Sequence, residues 1–269
     1  MKEQEAPGVE IEIVTLSRQG GRSYNEDVHG HWHDERYVAC LVADGAGGHG
    51  GGDVAAATAR SSVLGGFAAA PALDGRTLRH LIEQANRDVV ARQAEGGKLA
   101  AMRSTVVLAA IDLHDNQFAW AHTGDSRAYL FREGALVTRT VDHSLVQQMV
   151  AGGMIDEEGA RLHPQRNMLL SALGSADEMP EIAVSAPMPL APGDVLLLCS
   201  DGVWEVLGDE GLRATLQASR NPSQWIEQLD VAVKARAKPG HDNYTALAIW
   251  LHADDDATQL LPDTVPATT

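Results

Sequence analysis

Cysteine, basic charge and long apolar runs are all scarce in this sequence. The two cysteines, Cys40 and Cys199, sit inside apolar runs, which points to buried strand thiols rather than a disulfide, a metal site or a nucleophile. Lys and Arg number 21 against 37 Asp and Glu, a formal charge of −16. Such a field repels nucleic acid and anionic membrane, so neither is an expected partner. It also repels phosphorylated molecules unless cations offset it locally. No apolar run approaches the roughly 18 residues that span a bilayer, and Met1 to Pro7 carry no apolar signal core. The expected location is the cytoplasm.

What is present is a succession of short strands. Val9 to Leu16 alternates apolar and polar with period two, as a half-buried strand does, and a second alternating strand follows around Val28 to Trp32. Tyr37 to Asp44 is an apolar run that ends in Gly45-Ala46-Gly47-Gly48-His49-Gly50. A helix over Val54 to Leu64 comes next, capped by Asp53 or a neighbouring backbone group. Gly65 to Gly75 reads as a turn region. Leu78, Leu81, Ile82, Ala85 and Val89 then recur at helical spacing within Thr77 to Glu95.

Ser104 to Asp112 is a continuous apolar strand, and Gln117 to His122, Arg127 to Arg132 and Ala135 to Val137 follow through short turns. Strands joined so closely form antiparallel sheet. Ser144 to Val150 and Asp156 to Arg161 are short helices in a polar excursion, and Ala186 to Pro192 is an extended connector. A buried strand over Asp194 to Ser200 runs into Asp201-Gly202. Helices at about Asp209 to Ala218 and Pro222 to Ala237 precede a last strand, Tyr244 to Leu251. Residues 1–253 read as one domain of two sheets with helix pairs outside, and 254–269 as a disordered acidic, Thr- and Pro-rich tail.

The glycine loop matches G-x-G-x-x-G between a strand and a helix. Three features oppose a dinucleotide site. Asp44 stands directly before the first glycine, where it would face a pyrophosphate. No second strand ending in an acid follows about 20 residues on. The downstream sheet is antiparallel. A P-loop fails because no Gly-Lys-Ser/Thr follows. The aspartates are more informative: Asp44-Gly45 and Asp201-Gly202 both end apolar strands, Asp125 closes another, Asp242 precedes the last strand, and Asp27 opens the second. One Asp-Gly is usually a turn. Five carboxylates at strand ends suit Mg²⁺ or Mn²⁺, and those cations would give an anionic substrate somewhere to bind.

Arg22-Ser-Tyr-Asn25-Glu26-Asp27, Val42-Ala-Asp44-Gly45-Ala-Gly47-Gly48-His49, Thr123-Gly124-Asp125-Ser126-Arg127, Ser200-Asp201-Gly202 and Asp242-Asn243 occur in this order. The chain thereby resembles the metal-dependent, type 2C (PPM) serine/threonine protein phosphatases, in their compact bacterial form, over roughly residues 10–251. The resemblance implies an α+β fold, a four-layer α-β-β-α sandwich of two antiparallel sheets flanked by helices. It implies two Mn²⁺ or Mg²⁺ ions per chain and a weaker third. Asp44 would bridge both metals and the Gly45 carbonyl would ligate one. Asp201 and Asp242 would hold one ion, Asp27 or Glu26 would reach the other, and Asp125 with Asp201 would bind the third. Asn243 would orient its neighbour, His49 would shape the loop, and Arg22 would clamp the phosphate. Expected partners are phosphorylated proteins and a bacterial Ser/Thr kinase, met by a monomer.

Three departures from the family pattern bear on chemistry and preference. Some members carry a histidine, as acid to the leaving alkoxide, just after the motif that opens the second strand or near the first Asp-Gly; here Ala46 directly follows Asp44-Gly45. Arg103 replaces a common glycine before Ser104-Thr105, and Leu170-Ser171 replaces the usual Thr-Arg before Ala172-Leu173-Gly174. Residues 152–175 would correspond to the flap beside the site.

Overall fold

A computed structural model describes residues 9–47 and 51–253. The elements in chain order are β1 (Val9–Arg18), β2 (Asp27–His33), β3 (Tyr37–Ala46), α1 (Gly52–Ala69), α2 (Gly75–Gln93), β4 (Arg103–Ser104) and β5 (Val106–Asp112). They continue as β6 (Gln117–Thr123), β7 (Arg127–Arg132), β8 (Ala135–Arg139), α3 (Leu145–Ala151), α4 (Glu157–Leu162), β9 (Ala183–Val184) and β10 (Met188–Pro189). The chain closes with β11 (Val195–Cys199), α5 (Asp201–Gln217), α6 (Pro222–Arg236) and β12 (Tyr244–Ala253).

One sheet runs β1-β12-β11-β7-β8 and the other β10-β6-β5-β3-β2, with β4 added to β3 and β9 to β6. Every described pairing is antiparallel. Alternation along the strands sorts the core into three sandwiched layers. Cys40, Val42, Leu130, Leu198 and Ile249 meet between the sheets. Leu41, Leu108 and Ala121 face α1 and α2, where Phe67, Leu78, Ile82 and Val89 are buried. Tyr129, Leu197 and Ala248 face α5 and α6, where Trp204, Trp225 and Leu229 pack. Burying each large apolar side chain contributes about 1.5–3 kcal/mol, so both sheets need helices outside them. This is the expected α-β-β-α sandwich. No helix among the described residues is long and apolar enough to cross a membrane.

Several local expectations change. Helix α1 starts at Gly52 behind an N-cap, Gly51, held at φ 105° with no side-chain cap, so Asp53 lies in the first turn and does not cap it. The helix also continues through Gly65 and Gly66 to Ala69, because Val63 and Phe67 on its inner face remain buried. Helix α2 is capped by Asp74, which accepts from Arg76 N and Thr77 N. Helix α5 begins at Asp201, eight residues before the expected Asp209. Gly208 (φ 64°) interrupts it there, so only the second half carries an unbroken helical pattern. The apolar strand from Ser104 is broken at Thr105, and the connector 186–192 contains β10. Cys40 and Cys199 are buried, as expected. The tail 254–269 and His49 lie outside the described residues.

Candidate active site

The register of β2 against β3 places Asp27 opposite Asp44. Thr105 brackets the Asp44 backbone: its N–H donates to Asp44 O (2.8 Å) and its Oγ1 accepts from Asp44 N (3.1 Å). The break in the apolar strand at Thr105 is therefore what fixes the tip of β3. Gly45 allows the start of α1 to press against this tip, since a Cβ there would lie 2.0 Å from Gly52 O. No side chain fits at that distance.

The second sheet repeats the arrangement. Asp201 opens α5 directly after β11, and a Cβ on Gly202 would lie 2.0 Å from Asn243 O. Ser200 Oγ donates to Asp27 Oδ2 (2.7 Å) and accepts from Thr245 N (2.9 Å), tying the two sheets together beneath the site. Asn243 holds the 19–26 loop rather than only its neighbour. Its Nδ2 donates to Gln19 O (2.7 Å) and Tyr24 O (2.9 Å), and its Oδ1 accepts from Glu26 N (2.9 Å). Its backbone N–H also donates to Asp242 Oδ1 at 2.8 Å. The loop so fixed presents Arg22, half-exposed, which donates through Nη2 to Asp242 Oδ2.

Arg22, Glu26, Asp44, Gly45, Asp125, Asp201 and Asp242 all line one cavity of about 310 Å³ at the ends of the strands. Asp27 lies buried beside it, and Asn243 lies buried behind it. Thr105, Tyr24, Asn167 and Leu169 also line it. Sequence reasoning missed these four, although Thr105 was signalled by a hydroxyl in an otherwise apolar strand. Ser200 was quoted within its motif but given no task. Asn167 and Leu169 bring the end of the 152–175 excursion to the cavity rim. Arg166 anchors that excursion by donating to Glu205 Oε2 on α5 (3.2 Å).

Crowded burial of acids sets the electrostatics. Burial, then Asp27, Asp201, Asp125 and Asp242, push the Asp44 carboxyl well above the usual carboxylate range. Asp201 is raised in the same way by burial and by Asp125, Glu205, Asp242 and Asp27. Burial raises Asp27 to about 6 against the hydrogen bond from Ser200, and raises Asp125 to about 7. Glu26 Oε1, Asp27 Oδ1 and Asp201 Oδ1 are buried with no hydrogen-bond partner. Buried carboxylate oxygens without donors are costly, and hard divalent cations satisfy them. Among the described residues no three His, Cys, Asp or Glu side chains close into a cage by themselves. The donor set fits Mg²⁺ or Mn²⁺.

A two-sheet sandwich with five carboxylates and an arginine lining one cavity at its strand ends has the makings of a metal-assisted phosphoester hydrolase. Comparison with known proteins gives the family. Residues 34–252 match the family described as Stage II sporulation protein E (SpoIIE). A serine/threonine phosphatase, stp, of Listeria monocytogenes is 34% identical over 235 residues, covering 85% of this chain and 90% of the relative. The solved PPM Ser-Thr phosphatase MsPP from Mycobacterium smegmatis, in complex with cacodylate, superposes with a TM-score of 0.74 at 29% identity, over 89% of this chain and 97% of that one. The catalytic domain of the serine threonine protein phosphatase PstP, solved with two manganese ions, gives 0.73 at 28% identity over 91% and 99%. The chain belongs to the PPM family of serine/threonine phosphatases.

Proposed function

We propose that this chain hydrolyses phosphoserine and phosphothreonine in proteins, using two Mn²⁺ or Mg²⁺ ions held by the carboxylates of the cavity. The observation that carries it is the convergence of Asp44, Asp125, Asp201 and Asp242 with Arg22 on one cavity, beside three buried carboxylate oxygens that have no donor. Asp44 would be the shared ligand, with the Gly45 carbonyl beside it. Asp201 and Asp242 would hold one ion, and Glu26 or Asp27 would serve the other. Asp125 and Asp201 would provide for a weaker third. Once bound, divalent cations supply the charge that attracts phosphate and the acidity that makes water a nucleophile.

The protein's own groups do the rest. Arg22 is half-exposed and tethered through Asp242, so its planar fork is placed to turn onto two phosphate oxygens. Asn243 holds that loop in register with the carboxylates. Water adds to phosphorus as the ester P–O bond breaks, and the proton released by the water ends on the departing serine or threonine oxygen. Ala46, at the cavity rim, has no proton to give. The covering of 90% of the Listeria phosphatase supports a whole catalytic unit, which we take to act as a cytoplasmic monomer opposing a Ser/Thr kinase.

The test is hydrolysis of an aryl phosphate and of phosphoserine peptides with Mn²⁺, with chelator, and with Asp201→Asn. Turnover requiring the metal and abolished by the substitution is expected. Turnover that survives both chelation and Asp201→Asn would sink the proposal, and full metal occupancy without hydrolysis would point to a binding module instead.

A further inference from the structure

Asp125 is braced by residues that do not line the cavity. Gly124, just before it, has φ 96°, and a Cβ there would lie 2.6 Å from Thr105 Cγ2, so the position admits glycine alone. His143 grips this glycine at both ends. Its backbone N–H donates to Gly124 O (3.0 Å), and its Nδ1 accepts from Gly124 N (3.2 Å). Accepting at Nδ1 requires the proton on Nε2, hence a neutral ring in one orientation. That orientation is fixed by stacking on His122, with centroids 4.8 Å apart and planes within 9°. His122 is anchored in turn by its Nε2 on Val141 O (2.9 Å). Burial keeps both imidazoles below their ordinary basicity.

The other flank of Asp125 leads back to the same dipeptide. Trp204 Nε1 donates to Asp125 O at 2.9 Å, and the Arg127 guanidinium lies 3.5 Å over the Trp204 ring. Arg127 is itself held by two hydrogen bonds to Asp142, of 2.8 and 2.7 Å. Neither Asp142 nor His143 lines the cavity.

We propose that Asp142-His143 is a positioning device, in which His143 sets the backbone from which Asp125 projects into the cavity and so sets how tightly the weakest cation is held. The inference rests on the metal-phosphatase function proposed for the cavity. A ligand swung off its position loses affinity for its ion even where the fold survives.

The test compares H143A, H143N and H143Q by calorimetric Mn²⁺ titration and by electron paramagnetic resonance of free Mn²⁺, with Mn²⁺-dependent hydrolysis as a second readout. Asparagine places an acceptor oxygen where Nδ1 stands, and glutamine places it one bond too far. H143N should bind Mn²⁺ within about 3-fold of the wild type. H143A and H143Q should weaken the weakest site about 10-fold or more, with thermal unfolding still cooperative. Wild-type affinity in H143A overturns the inference, and if H143A does not fold, equal affinities in H143N and H143Q do so. A wild type that binds no Mn²⁺ defeats the phosphatase function itself. A wild type that binds and hydrolyses beside an indifferent H143Q defeats the positioning role alone.

Discussion

Asp27 and Asp44 are register partners on adjacent strands, and Ser200 from the opposite sheet holds one oxygen of Asp27 while the other is left without a donor. Two acids are thus placed side by side and one is aimed. Ser200→Ala should lower turnover about 10-fold at limiting Mn²⁺, with recovery as Mn²⁺ rises. It should also destabilise the fold by about 1–3 kcal/mol, because Thr245 N and Asp27 both lose a buried partner. Mn²⁺-dependent kinetics and urea unfolding check the two parts. Ser200→Thr, which keeps the hydroxyl, should retain the metal dependence.

The glycines after Asp44 and Asp201 serve close packing. Gly45→Ala and Gly202→Ala would each place a methyl 2.0 Å from a carbonyl oxygen, of Gly52 and of Asn243. Each should cost about 1–3 kcal/mol or more in urea unfolding, since backbone must move. Gly65→Ala is the control: it lies inside α1 with nothing within 4 Å of its added Cβ. It should stabilise by about 0.5–1 kcal/mol.

Arg22 is expected to act on the phosphate rather than on the fold. Its exposed pair with Asp242 contributes little to stability. Arg22→Ala should therefore leave the urea midpoint within error. It should lower kcat/KM for phosphopeptides about 10- to 100-fold, the loss of a charge-assisted contact of about 1.5–3 kcal/mol. Arg22→Lys should recover part of this only, because an ammonium cannot present the planar fork. An unchanged kcat/KM would remove Arg22 from the substrate site.

His122 gives a pH signature. Burial lowers its pKa to about 4 in the folded protein, from an ordinary 6.5. Below 6.5 the unfolded chain therefore takes up a proton that the folded chain refuses. The contribution is full above pH 6.5 and is lost as pH falls toward 4, up to about 3 kcal/mol. Asp27 and Asp125 work in the opposite sense, because their folded values are raised to about 6 and about 7. Urea unfolding of the wild type and His122→Asn between pH 7.5 and 4.5, both with Mn²⁺, isolates the histidine. The variant should show the shallower acid loss.

The layers and most strands were legible because their patterns are local. Every apolar position expected on the inner face of α2 is buried. The aspartates were legible because each ends or opens a strand. Long-range links were not. Arg22 meets Asp242 across 220 residues and Asn243 meets Glu26 across 217, and no spacing encodes such pairs. Helix α5 was half hidden because Asp201-Gly202 reads as a turn and Gly208 interrupts the pattern. The bracket that Thr105 forms around Asp44 needed the β3 tip to be in place before its hydroxyl had a purpose.

The claim on which the rest depends is that Asp44 is shared by two cations. Calorimetric Mn²⁺ titration of chelator-stripped wild type, Asp44→Asn and Asp242→Asn tests it directly. Two tight sites in the wild type, neither in Asp44→Asn and one in Asp242→Asn are expected. An Asp44→Asn protein that still binds two Mn²⁺ ions with wild-type affinity would contradict it.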